Sequence, residues 1–68
     1  MKELIFLIEE VVEGGFTATA LDEAIFTEGE NLSEIKTNIK EAVECHFERD
    51  QMPKFIRQHI VKDELMIL

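Results

Sequence analysis

Between Glu3 and Val12 the apolar residues stand side by side and do not alternate with polar ones: Leu4, Phe6 and Ile8 fall on one face of an extended chain, Ile5 and Leu7 on the other. A strand apolar on both faces is a central strand that expects cover above and below. Glu13-Gly14-Gly15 follows, and adjacent glycines supply the positive φ of a tight hairpin. Phe16 to Leu21, with Thr17 and Thr19, predicts a second strand. Asp22-Glu23 then makes a short turn, and Ala24 to Glu28 predicts a brief third strand. Together these three make an antiparallel meander.

After Gly29-Glu30 the period changes. Asn31, with Glu34 three residues on, forms a variant of the capping box in which the Asn31 side chain accepts the Glu34 amide. Leu32, Ile35, Ile39, Ala42, Val43, His46 and Phe47 share one stripe at helical spacing, with Glu34, Glu41, Glu44 and Glu48 opposite. This predicts a helix to about Glu48, and Pro53 precludes its continuation. From Phe55 to Leu68 the chain is strand-like again, as one strand or as two with a bend at Asp63-Glu64. The predicted architecture is α+β, a single domain over residues 1–68 in the order β-β-β-α-β, with one helix packed on a short antiparallel sheet.

One helix covers one face of a sheet. Ile5 and Leu7, with the C-terminal Leu65, Met66 and Ile67, are left as a second apolar set, and an apolar face in water is an interaction site. These five residues are the predicted interface of a homodimer or higher oligomer. A chain of 68 residues has a marginal core, and Cys45, its single cysteine, cannot staple it with an internal disulfide. A lone thiol suits a reducing compartment, so a cytoplasmic protein is expected. The run Leu4–Ile8 stops at Glu9, far short of the roughly 20 residues that cross a bilayer. No membrane partner is expected.

Charge is unevenly placed. The net charge is −8, and residues 1–34 hold nine acids and one base while residues 35–68 hold six of each. An acidic half repels phosphate and attracts a basic protein. Glu9, Glu10, Asp22, Glu23 and Glu28 are the candidate docking residues; the plainer reading, that acids keep a small domain soluble, stands ahead of it. Arg49, Lys54, Arg57 and Lys62 form at most a small basic patch. With no Trp or Tyr in the chain, base stacking is unsupported and no direct nucleic-acid partner is expected.

Candidate catalytic chemistry is thin. Cys45 and His46 are neighbours, and side chains one apart on a helix point about 100° from each other, so they form neither a nucleophile–base pair nor a shared metal site. His46 falls within the apolar stripe and is expected to be a packed core histidine with one hydrogen bond. Cys45 lies on the acidic flank beside Glu41 and Glu44, the opposite of the electropositive setting that activates a thiol. His59 is the other histidine, and one chain offers too few ligands for zinc. The carboxylate pairs Glu9-Glu10, Asp22-Glu23 and Glu28 with Glu30 lack apolar neighbours that would part their pKa values for acid–base work. Gly14-Gly15 is a turn and not a phosphate cradle, because no strand-to-helix junction follows it. No catalytic residue, metal or cofactor is expected, and the chain is read as a non-enzyme.

A resemblance adds to these readings. The turn Glu13-Gly14-Gly15-Phe16, the small-residue strand Thr17-Ala18-Thr19-Ala20, the helix start Phe26-Thr27-Glu28-Gly29-Glu30-Asn31-Leu32-Ser33-Glu34 and then Asn38-Ile39-Lys40-Glu41-Ala42 are similar in order and spacing to the HicB-like antitoxin family, over roughly residues 4–48. The resemblance implies a partial ribonuclease-H-like domain that binds a small basic toxin ribonuclease and masks its active site. Where such proteins usually show a Pro-Gly-Cys-type segment, this chain has Asp22-Glu23-Ala24-Ile25. The strand-like stretch after Phe55 leaves no room for the C-terminal DNA-binding domain many of them carry. The alternative is a self-associating structural protein with no toxin partner.

Overall fold

The computed structural model describes residues 3–62 and 65–68. The elements are β1 (Glu3–Glu10), β2 (Phe16–Ala20), β3 (Phe26–Gly29), α1 (Leu32–His46), a 3-10 turn (Arg49–Gln51) and β4 (Phe55–Val61). They form one four-stranded sheet in the order β3-β2-β1-β4. The class and the β-β-β-α-β order agree with the sequence. The direction of the last strand does not match a purely antiparallel sheet: β1–β2 and β2–β3 are antiparallel, but β4 pairs parallel to β1, so the sheet is mixed. The cause lies in α1. β3 runs the same way as β1, the helix returns the chain to the starting end, and the next strand must run in the original direction.

Boundaries shift for local reasons. β1 stops at Glu10 and not at Val12, because Val11 already belongs to the hairpin: its N–H donates to the Gly15 carbonyl and its carbonyl accepts from Gly14, both at 2.9 Å. Gly14 and Gly15 hold φ of 110° and 89°, the region glycine tolerates. β3 starts at Phe26, since the Ile25 N–H closes a turn onto the Glu23 carbonyl at 2.9 Å. The predicted cap is present: Asn31 Oδ1 accepts the Glu34 N–H at 2.8 Å. α1 ends at His46, short of Glu48. The possible bend at Asp63-Glu64 lies outside the described residues.

The core has one layer of contact. Leu4, Phe6 and Ile8 from β1, Ala18 and Ala20 from β2, Ile25, and Ile35, Ile39 and Val43 from α1 are buried. The two alanines matter, because short side chains on β2 let α1 lie close to the strand. Phe16, Leu32, Ala42, Phe47, Met52 and Ile56 are partly buried around this centre. His46 is a correction to the expectation of a packed core histidine. It sits on the last turn, beyond the end of the buried stripe, with its side chain 36% exposed and its ring edge-on to Phe47.

Candidate partner-binding face

Because side chains alternate along a strand and paired residues share a face, the registers assign the surface opposite α1 directly. It carries Glu3, Ile5, Leu7 and Glu9 of β1, Thr17 and Thr19 of β2, Phe26 and Glu28 of β3, and Phe55, Arg57, His59 and Val61 of β4. Two rows cross it. One runs Phe26, Thr19, Leu7, His59; the next runs Glu28, Thr17, Glu9, Val61. Ile5 and Leu7 are half-buried there without a helix above them, because their neighbours on the same face shield them in part. Phe26, at 62% exposure, and Phe55, at 60%, extend this apolar strip to both edges. Sequence periodicity did not assign them to this face, since their orientation depends on pairing register.

The structure divides the five candidate docking acids. Glu9 and Glu28 flank Thr17 on the open face at one end of the sheet. Glu10 lies at that same end but on the helix side, opposite Phe16. Asp22 and Glu23 are in the β2–β3 loop at the other end, where Glu23 Oε1 is 3.1 Å from His46 Nε2. Two acids outside that set of five, Glu30 and Glu34, stand close to Glu28. With Glu28 they line a shallow cleft of about 470 Å³ between the glycine hairpin and the start of α1. The cause is the helix start itself, where Gly29 brings β3 against the first turn: a Cβ on Gly29 would stand 3.1 Å from the Ile35 nitrogen.

The remaining predicted residues fall as follows. Leu65, Met66 and Ile67 are 94%, 81% and 90% exposed and belong to no strand. Cys45 is exposed on α1, well along the helix from the cleft. Arg57 pairs with Glu3 across the β1–β4 register. That hydrogen bond, and then the carboxylate's charge, raise the guanidinium pKa above its ordinary value. Among the described residues no three His, Cys, Asp or Glu side chains are grouped to hold a metal ion, and no helix is long and apolar enough to cross a membrane.

The molecule is a small α+β domain with one sheet face covered by its helix, and the other open, with Ile5, Leu7, Phe26 and Phe55 beside Glu9 and Glu28. The chain belongs to the UPF0150 family. It is 51% identical over 51 residues to a UPF0150 protein of Archaeoglobus fulgidus, covering 75% of this chain and 76% of that one. It is 37% identical over 62 residues to a UPF0150 protein of Thermotoga maritima, covering 91% and 87%. No family model and no solved structure matches.

Proposed function

We propose that this chain is a non-catalytic protein-binding module of the HicB antitoxin type, which binds and masks a small basic toxin ribonuclease in the cytoplasm. The observation that carries the reading is the open sheet face, where Leu7 and Phe26 lie one row from Glu9 and Glu28. An apolar strip beside fixed negative charge suits a basic protein: burial supplies affinity, and the carboxylates steer the approach. The β-β-β-α-β order agrees with the partial ribonuclease-H-like domain implied by the residues that resemble HicB. The reducing setting expected of a cytoplasmic partner suits the exposed thiol of Cys45.

The experiment is a search of the adjacent reading frames for a small basic protein, its co-expression with this chain, and a ribonuclease assay of the purified pair. Stable co-purification with suppressed cleavage is expected, and Glu9→Lys with Glu28→Lys should release the partner and restore cleavage. The absence of any such reading frame, or a neighbour that neither binds this chain nor cleaves RNA, would overturn the reading. The alternative, a self-associating structural protein, is favoured by the exposed edge strand β4.

A further inference from the structure

Natural edge strands are kept from pairing with other chains by shortness, charge, proline or a bulge. β3 obeys this: it has four residues, carries Glu28 and ends on Gly29. β4 does not. It runs for seven residues without an acid or proline, its one fixed charge, Arg57, is paired with Glu3 within the chain, and it holds an unbroken register with β1 from Phe55 to Val61. It is also the strand parallel to its neighbour, and parallel strands ordinarily lie covered on both faces. Here Phe55, Ile60 and Val61 are 60%, 45% and 38% exposed.

The order of side chains in β4 points to its occupant. Phe55-Ile56-Arg57-Gln58-His59-Ile60-Val61 has the same sequence of residue classes in both directions about Gln58. Two antiparallel copies related by a twofold axis must oppose residues that point to one face, so the axis passes through a residue and not between two. With the axis at Gln58, Ile56 opposes the partner's Ile60 and Phe55 opposes the partner's Val61. Every apolar residue of the strand then meets an apolar one. An axis at Arg57 sets arginine on arginine, and one at His59 places Ile60 against glutamine. Axes at Ile56 or Ile60 leave Phe55 against arginine or Val61 against histidine.

Charge permits the same edge. The chain carries −8, yet residues 51–62 contain no carboxylate and three bases, Lys54, Arg57 and Lys62. Two acidic molecules repel each other least along this segment. Arg57, which would face the partner's His59, already has its charge answered by Glu3.

We propose that a second copy of this chain adds its β4 to β4 in antiparallel pairing, with Gln58 on the twofold axis. The two four-stranded sheets then form one continuous sheet of eight strands. Both helices lie on one side of it and both open faces on the other, which doubles the surface offered to a partner. The pairing deepens the self-association described above and does not rest on the existence of a toxin.

Sedimentation of the isolated chain at micromolar concentration tests it. A mass twice the 7.9 kDa of one chain is expected. In a Cys45→Ser background, Gln58→Cys should form an interchain disulfide on mild oxidation, because directly opposed Cα atoms stand about 4.5–5.5 Å apart. His59→Cys in the same background should stay uncrosslinked, its two copies being diagonal and about 7–8 Å apart. Ile60→Lys, at an exposed position, should leave a folded monomer by circular dichroism and sedimentation. A wild-type monomer at every concentration, a dimer that fails to crosslink at position 58, or a dimer unaffected by Ile60→Lys would each overturn the proposal. None of these measurements uses a toxin, so their failure and the failure of partner binding are separable.

Discussion

His46 Nε2 stands 3.1 Å from Glu23 Oε1, tying the last turn of α1 to the β2–β3 loop. The two residues lie 23 positions apart, so the contact exists only because the helix runs back along the sheet to the end where that loop turns. Their side chains are 36% and 28% exposed, which places the pair among surface contacts. Such pairs contribute about 0–1 kcal/mol. His46→Ala and Glu23→Ala should each lower stability within that range in urea unfolding, and the double variant should cost less than the sum. A loss several times larger would mean the pair carries a structural role this geometry does not explain. Glu23 is thereby engaged within the fold, which sets it apart from Glu9 and Glu28 among the proposed docking carboxylates.

The glycine hairpin separates two effects that are usually mixed. Gly14 and Gly15 both have positive φ, so an alanine at either position is strained by about 1–3 kcal/mol. At Gly14 an added Cβ meets open space, whereas at Gly15 it would stand 3.0 Å from the Gly29 carbonyl oxygen. Gly15→Ala should therefore destabilise more than Gly14→Ala, because it adds a backbone clash to the strain of a positive φ. Equal denaturation midpoints for the two variants would contradict the close approach of the hairpin to β3.

Phe6 and Phe47 test the core in the same way. Phe6 is fully buried beneath α1, while Phe47, just past the helix end, is partly buried. Phe6→Ala should cost about 3–5 kcal/mol, enough to abolish folding in a domain this small. Phe47→Ala should cost less and leave a cooperative melt at a lower temperature. The reverse ranking in thermal unfolding monitored by circular dichroism would show that the core lies elsewhere.

Much of the fold was legible along the chain because its signals are local. The alternation at Leu4, Phe6 and Ile8, the Gly14-Gly15 turn, the Asn31 cap and the stripe of Ile35, Ile39 and Val43 each depend on residues a few positions apart, and each stands where it was expected. His46 went astray for a different reason. Its position on the stripe is correct, but the last turn of the helix meets the β2–β3 loop and not the apolar sheet face, so His46 stays 36% exposed against Glu23 and Phe47. The grouping of the five candidate docking acids was not legible in the sequence. Glu9 and Glu28 are brought into one row by two strand registers, and Asp22 and Glu23 are carried to the opposite end by the same registers.

Element order, caps and the inward faces of β1 and α1 were written in the amino-acid sequence, because hydrophobic period and turn chemistry act within a few residues of themselves. The direction of β4, the rows across the open face and the nearness of Glu28, Glu30 and Glu34 were decided only by tertiary structure. These depend on which strands lie side by side. That choice is made by the helix returning the chain across the sheet, and no short window of residues contains it.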